Sequence, residues 1–284
     1  MVNSNNNSLL EEEITIIQPH SKRSLISRIK EIKKYYQLLY FFIWRDIKVK
    51  YRQTIVGVIW VVLQPILTSV IFSVIFGNFL RLSSGSSPYI IFVFCALLPW
   101  NFFANSISKS SEGIIINRNL ITKVYFPRLL LPASVILQNL VDFFISVLTL
   151  SIILFIFRIK ISANLIYLPF IIFLVFVLAL GIAFWLSALN VKYRDIRHIV
   201  PFLLQVWFFC SPVTYTVNLI PSKWLTIYSL NPMVGIIEAF RACFLGSGGY
   251  LSATLPISFL VSLLFFMSGF NYFIKAEKTF ADII

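Results

Sequence analysis

The chain reads as an all-α integral membrane protein, on three observations. Hydrophobic residues fill 58% of its 284 positions and charged residues 12%, a balance that a water-soluble surface does not tolerate. Six stretches are long enough to cross a bilayer core, which takes about 20 apolar helical residues. They are Thr54–Leu80, Pro88–Ser108, Leu129–Phe157, Leu165–Leu189, Val200–Val217 and Ser252–Ile274, the fifth being the shortest. None alternates polar and apolar residues as a membrane β-strand would.

In chain order, residues 1–34 form an Asn- and Ser-rich tail with an acidic "EEE" where a cleavable signal would carry its apolar core. A cytoplasmic tail is expected there, followed by a membrane domain over 35–284. The run "YYQLLYFFIW" at Tyr35–Trp44 is too short to span and is followed at once by "RDIKVKYR". It predicts an amphipathic helix, either lying in the headgroup layer or packed on the bundle.

The spans carry polar stripes at helical spacing. Gln53, Gly57, Trp60, Gln64 and Thr68 share a face of the first, Asn101, Asn105 and Ser108 a face of the second, and Gln138, Asp142, Ser146 and Thr149 a face of the third. Such stripes either line a conduit or pack helix against helix. Asp142 falls near mid-membrane, where a carboxylate must face protein or water; a proton relay and a hydrogen-bonded packing residue both fit. Between the last two spans, Asn231-Pro232 opens a helical run that ends at Gly246, short of a full crossing. Short re-entrant helices are predicted, with Glu238 and Arg241 placed to pair three residues apart.

Lys and Arg set the orientation. The segment up to Arg52, the loops holding Lys109, Arg118, Lys123 and Arg128 and Lys192, Arg194 and Arg197, and the end with Lys275 and Lys278 hold 19 of the 24 cations. Both termini are therefore expected in the cytoplasm. A net charge of +13 is explained by cations beside anionic headgroups, and no nucleic-acid partner is expected. No glycine precedes a lysine as in a phosphate-binding loop, the two histidines sit in no ligand spacing, and Cys95 and Cys210 read as small buried residues. Neither a catalytic residue nor a metal site is expected.

One segment stands out. "RNLITKVYFPR", Arg118–Arg128, is a basic island without an acid between two greasy spans. Asn117 or Asn119 can cap a short helix there, and Pro127 stops the next span from continuing backward. Leu120, Ile121 and Val124 would form its apolar edge. Such a helix, rigidly joined to two spans, either transmits the motion of a soluble partner or is a positive loop without one.

Seven fragments in order, "YRQTIVGVIWVVLQP", "LLPWNFF", "NRNLITKVYFPRLLLP", "NVKYRDI", "SPVTY", "NPMVGIIEAFR" and "AEKTFADII", resemble the permease subunits of ABC-2-type polysaccharide exporters, the Wzm, KpsM and TagG-like proteins. The resemblance runs from about Tyr35 to the end of the chain. It implies six transmembrane helices, an N-terminal interfacial helix, re-entrant helices before the last span, and a homodimer in the bacterial inner membrane. It further implies a separate Wzt-like ABC ATPase that binds ATP and Mg²⁺, and a polyprenyl-diphosphate-linked glycan cargo, O-antigen before capsule or teichoic acid. By the same match Asn117, Arg118, Leu120, Ile121, Lys123, Val124, Tyr125 and Phe126 would seat in the ATPase. Arg45, Lys48, Lys50 and Arg52 would meet the lipid diphosphate at the cytoplasmic gate. Aromatic rings suit the apolar faces of sugars, so Trp60, Trp100, Phe103, Phe208, Phe209 and Tyr215, with Gln64, are the expected channel lining. The rival readings are an ABC-2 exporter of small lipids or drugs and an ion-coupled flippase or membrane glycosyltransferase; the latter needs more intramembrane charge than Asp142 supplies.

Overall fold

The computed structural model describes residues 34–52, 57–82, 87–159, 162–246 and 251–280; the expected tail, apart from Lys34, and Gln53 of the first stripe lie outside them. Helix α1 spans Tyr36–Arg52, and α2 spans Gly57–Phe72 before running on as a π-helical stretch to Phe79. Then come α3 (Tyr89–Ile116), α4 (Arg118–Lys123), α5 (Leu130–Ile156) and α6 (Leu168–Lys192), the last entered through a 3₁₀ turn at Ala163–Tyr167. The order closes with α7 (Ile196–Phe209), α8 (Ser222–Ser229), α9 (Pro232–Leu245) and α10 (Leu251–Glu277). There is no strand among the described residues.

Among the described residues, five segments are long and apolar enough to cross a membrane: Gly57–Phe79, Tyr89–Ile116, Leu130–Ile156, Ala163–Lys192 and Ala253–Glu277. The stretch expected as a fifth of six spans, Val200–Val217, behaves differently. Its helix, α7, has 14 residues, about 21 Å at the helical rise, and gives way to turns at Cys210. Pro212 has no N–H to offer the Phe208 carbonyl, so the helix cannot continue. Cys210, expected to be buried, is exposed at this break, whereas Cys95 is buried as expected.

Helix α3 is the axis of the bundle. It packs on α5, α6, α9, α2 and α7, and it buries Ser106, Ser110 and Ser111 along with its aromatic and aliphatic residues. The tightest pair is α6 with α10. A Cβ on Gly269 would lie 2.0 Å from the Gly181 carbonyl oxygen, so only glycine allows the two backbones to meet. Nearby, Trp185 stacks on Tyr272 at 4.4 Å, and its indole N–H donates to Ser268 Oγ at 3.2 Å.

A second, smaller core sits at the end of the bundle that carries α4. Phe42 of α1, Ile121 of α4, Phe126 and Leu130, Phe184 of α6 and Phe273 and Phe280 of the chain's end are all buried there. This core joins α1, the basic island and the last helix into one rigid end-piece.

Candidate functional site

Parts of the three polar stripes converge, while Ser108, Gln138 and Thr149 stay outside the meeting point. Between α1, α2, α3 and α5 lies a half-open cavity of about 590 Å³. Gly57, Trp60 and Gln64 line it from α2, Asn101, Asn105 and Lys109 from α3, and Asn139, Asp142 and Ser146 from α5. On α3 the spacing of four residues makes Asn101, Asn105 and Lys109 a ladder about 12 Å long. Thr68, the last residue of the first stripe, instead donates to its own helix at the Gln64 carbonyl, 2.9 Å away.

Lys109 was expected in a loop, because hydropathy ends the second span at Ser108. The helix runs on to Ile116, which puts the ammonium inside the ladder, where it donates to Asn139 Oδ1 at 3.3 Å. Asn139 in turn donates to Ser106 Oγ at 3.4 Å. Asp142 accepts from both Lys50 Nζ and Tyr51 Oη, at the end of α1. Burial first, and then the adjacent carboxylate, hold the Tyr51 phenol above its usual range, so it remains a donor. The sequence showed the acid but not its partners, which lie 92 and 91 residues upstream.

Near its middle α1 grips the basic island. Arg45 donates from Nη2 to Asn117 Oδ1 at 3.3 Å and from Nε to its neighbour Asp46 at 2.8 Å. The Phe42 ring packs edge-on against Phe126 with centroids 5.7 Å apart. The island is held on its far side too. The Arg128 backbone N–H donates to Glu277 Oε1 at 3.0 Å, and its guanidinium lies 5.8 Å from the Phe280 ring. Of the four cations expected at the gate, Lys48 and Arg52 are exposed, while Arg45 and Lys50 are engaged as described.

The island itself departs in detail from expectation. Asn117 is the N-cap residue of α4, but its side-chain amide donates backward to the Gly113 carbonyl at 2.8 Å and closes α3 instead. The apolar edge is divided: Ile121 turns into the small core, and Val124 is already extended beyond the helix end. Arg118, Lys123, Val124 and Tyr125 are left exposed, Leu120 is half-buried and Phe126 is buried.

The aromatic residues expected to line a channel separate into two groups. Trp60 is 53% exposed at the cavity and Phe209 is 63% exposed. Trp100 and Phe103 are instead buried against each other, Trp100 also against Phe208 and Phe103 against Trp207. Phe208 is half-buried and stacks on Phe72, and Tyr215 accepts from the Tyr228 hydroxyl at 2.9 Å.

The end of the bundle remote from α4 has its own pin. Asn231 accepts from the Met233 N–H at 3.0 Å and from Trp207 Nε1 at 2.8 Å, and donates to the Cys210 carbonyl at 3.0 Å, which ties the start of α9 to the end of α7. Gly246, at φ +71°, closes α9 as predicted. Arg241, fully buried, pairs with Glu238 at 3.0 Å and donates to the carbonyls of Val213 at 2.7 Å and Phe92 at 3.2 Å. Its guanidinium also stacks 3.6 Å above the Phe92 ring.

Several apolar crossing helices around a polar cavity define a multi-pass membrane protein. Within that class, the chain belongs to the ABC-2 type transporter family, whose model matches residues 37–245. It is 29% identical over 262 residues to the O-antigen export system permease protein RfbA of Myxococcus xanthus, covering 92% of this chain and 100% of that protein. The RfbA of Klebsiella pneumoniae is 27% identical over 250 residues, covering 88% and 95%. The polysialic acid transport protein KpsM of Escherichia coli is 21% identical over 217 residues, covering 76% and 83%.

Proposed function

We propose that this chain is the channel-forming permease of an exporter that moves a polyprenyl-diphosphate-linked polysaccharide, O-antigen foremost, across the bacterial inner membrane. The observation that carries the reading is the similarity to an O-antigen export permease over that protein's whole length. Two copies of the chain form the channel, and each is worked by a separate Wzt-like ABC ATPase that holds the ATP and Mg²⁺. This chain supplies walls and linkage, not chemistry.

In this reading the chain crosses six times, with α7 and the turns after it making the fifth crossing. Both termini and α4 face the cytoplasm, α1 lies at that interface, and α8 and α9 re-enter from the external side, braced by Arg241. The basic island seats in the ATPase and presents Arg118, Lys123, Val124 and Tyr125. Its motion reaches α1 through the Arg45–Asn117 and Phe42–Phe126 contacts, and in the empty protein α1 carries it to Asp142 through Lys50 and Tyr51. Lys48 and Arg52 remain exposed to meet a lipid diphosphate at the mouth. Trp60 offers a face to passing sugar rings.

The test is export of surface glycan in a strain whose only copy of the permease is a variant. Val124→Glu leaves the buried core untouched, because Val124 is 53% exposed. Export is expected to fall at least tenfold while the protein inserts normally and the ATPase still turns over. Full export by this variant would remove the coupling role, and normal surface glycan in a strain without the chain would remove the function.

A further inference from the structure

The cavity between α1, α2, α3 and α5 holds more polar chemistry than helix packing uses. Lys50 and Lys109 bring two cations and Asp142 one carboxylate, so the site carries an excess positive charge. Among the described residues Lys109 makes no ion pair, and its hydrogen bond goes to a neutral amide. The side-chain amides of Gln64, Asn101 and Asn105 open on the same space and bond to no described residue. In a membrane domain, polar groups left unpaired are costly unless water or a ligand meets them. Carboxamides offer a donor and an acceptor side by side, which matches adjacent sugar hydroxyls. The exposed Trp60 ring adds a stacking face on α2.

We propose that this cavity binds a sugar phosphate, with the phosphate between Lys50 and Lys109 and the sugar along Gln64, Asn101, Asn105 and Trp60, and that Asp142 occupies the phosphate position in the empty protein. Asp142 is thus a resident competitor. An arriving phosphate takes Lys50 from it, the contact of Lys50 and Tyr51 with α5 opens, and the end of α1 is released. The proposal deepens the export reading and rests on it: it names the part of the cargo that the permease recognises, and it makes release of α1 the response to loading.

The experiment uses the full chain in phosphatidylcholine nanodiscs, with binding of glucose 1-phosphate, inorganic phosphate and farnesyl diphosphate measured by titration calorimetry. Glucose 1-phosphate is expected to bind more tightly than inorganic phosphate, and farnesyl diphosphate to compete with it. Lys109→Gln should weaken both organic ligands about tenfold, equivalent to about 1.4 kcal/mol. Asp142→Asn should tighten them by a similar factor, a gain that a misfolded variant cannot imitate. Lys223→Gln, a cation of the exposed helix α8, should change neither. Hydrogen exchange over residues 42–52 should quicken when ligand is added.

Weaker or unaltered binding by Asp142→Asn would overturn the competitor role, and unaltered binding by Lys109→Gln would overturn the site. Loss of the signal in nanodiscs containing phosphatidylglycerol would assign the cations to a lipid headgroup and overturn the sugar-phosphate reading. A chain that restores export but binds none of these ligands sinks this inference alone. One that binds them but restores no surface glycan sinks the export reading alone.

Discussion

Helices α2 and α3 are neighbours, both apolar enough to cross a bilayer, yet the fold uses them in opposite ways. The more apolar of the two is the more exposed. Helix α2 buries only Pro65 and Ser69 and exposes Ile59, Leu67 and Ile71, whereas α3 buries all ten residues from Ile91 to Trp100. The reason lies in the solvent. Hydrocarbon receives a leucine as readily as a protein interior does, so burial inside the bundle is driven by close packing and hydrogen bonds. Helix α3 has small hydroxyl residues that let neighbours approach: Ser110 Oγ donates to the Pro132 carbonyl at 3.3 Å, and the Ser111 carbonyl accepts from Asn190 Nδ2 at 2.8 Å.

The contrast can be broken most forcefully at Arg241, which fastens α9 to the first turn of α3. Arg241→Met strands Glu238 as a largely buried, unpaired acid, and a loss of about 3–5 kcal/mol is expected in thermal unfolding of the detergent-solubilised protein. Adding Glu238→Gln should return a measurable part of it; no recovery would mean that the carbonyl contacts, not the ion pair, dominate. A smaller effect is expected at Ser110→Leu, which forces bulk into the α3–α5 contact and should cost about 2 kcal/mol by the same measurement. The smallest effect is expected on the other helix. Leu67→Ala should move stability by less than about 0.5 kcal/mol. A loss above 1 kcal/mol that grows on dilution would show that this face of α2 packs on a second copy of the chain.

Hydropathy carried the sequence reading a long way, and so did periodicity. Five long helices fall where greasy runs stand, and the residues at spacings of three and four, Trp60 with Gln64, Asn101 with Asn105, and Asp142 with Ser146, all reach one cavity. What stayed hidden were contacts distant in sequence. Nothing local to Asp142 announces Lys50 or Tyr51, and nothing local to Phe126 announces Phe42. Lys109 was hidden for another reason: a helix continues past the apolar stretch that marks the membrane, so hydropathy ends it too early. Aromatic content was the weakest guide. Trp100 and Trp60 look alike in composition, but one is interior and the other exposed, because which helix face a neighbour covers is decided by the whole bundle.

The docking of α1 sets a timetable for biogenesis. Its anchor Lys50 precedes Asp142 by 92 residues, so the helix leaves the ribosome long before its partner exists. At about 5–20 residues per second the interval is roughly 5–18 s. Through that interval Tyr40, Phe41 and Trp44, exposed even in the finished protein, need a surface to rest on, and with α1 at the interface as proposed above the lipid headgroups would supply one.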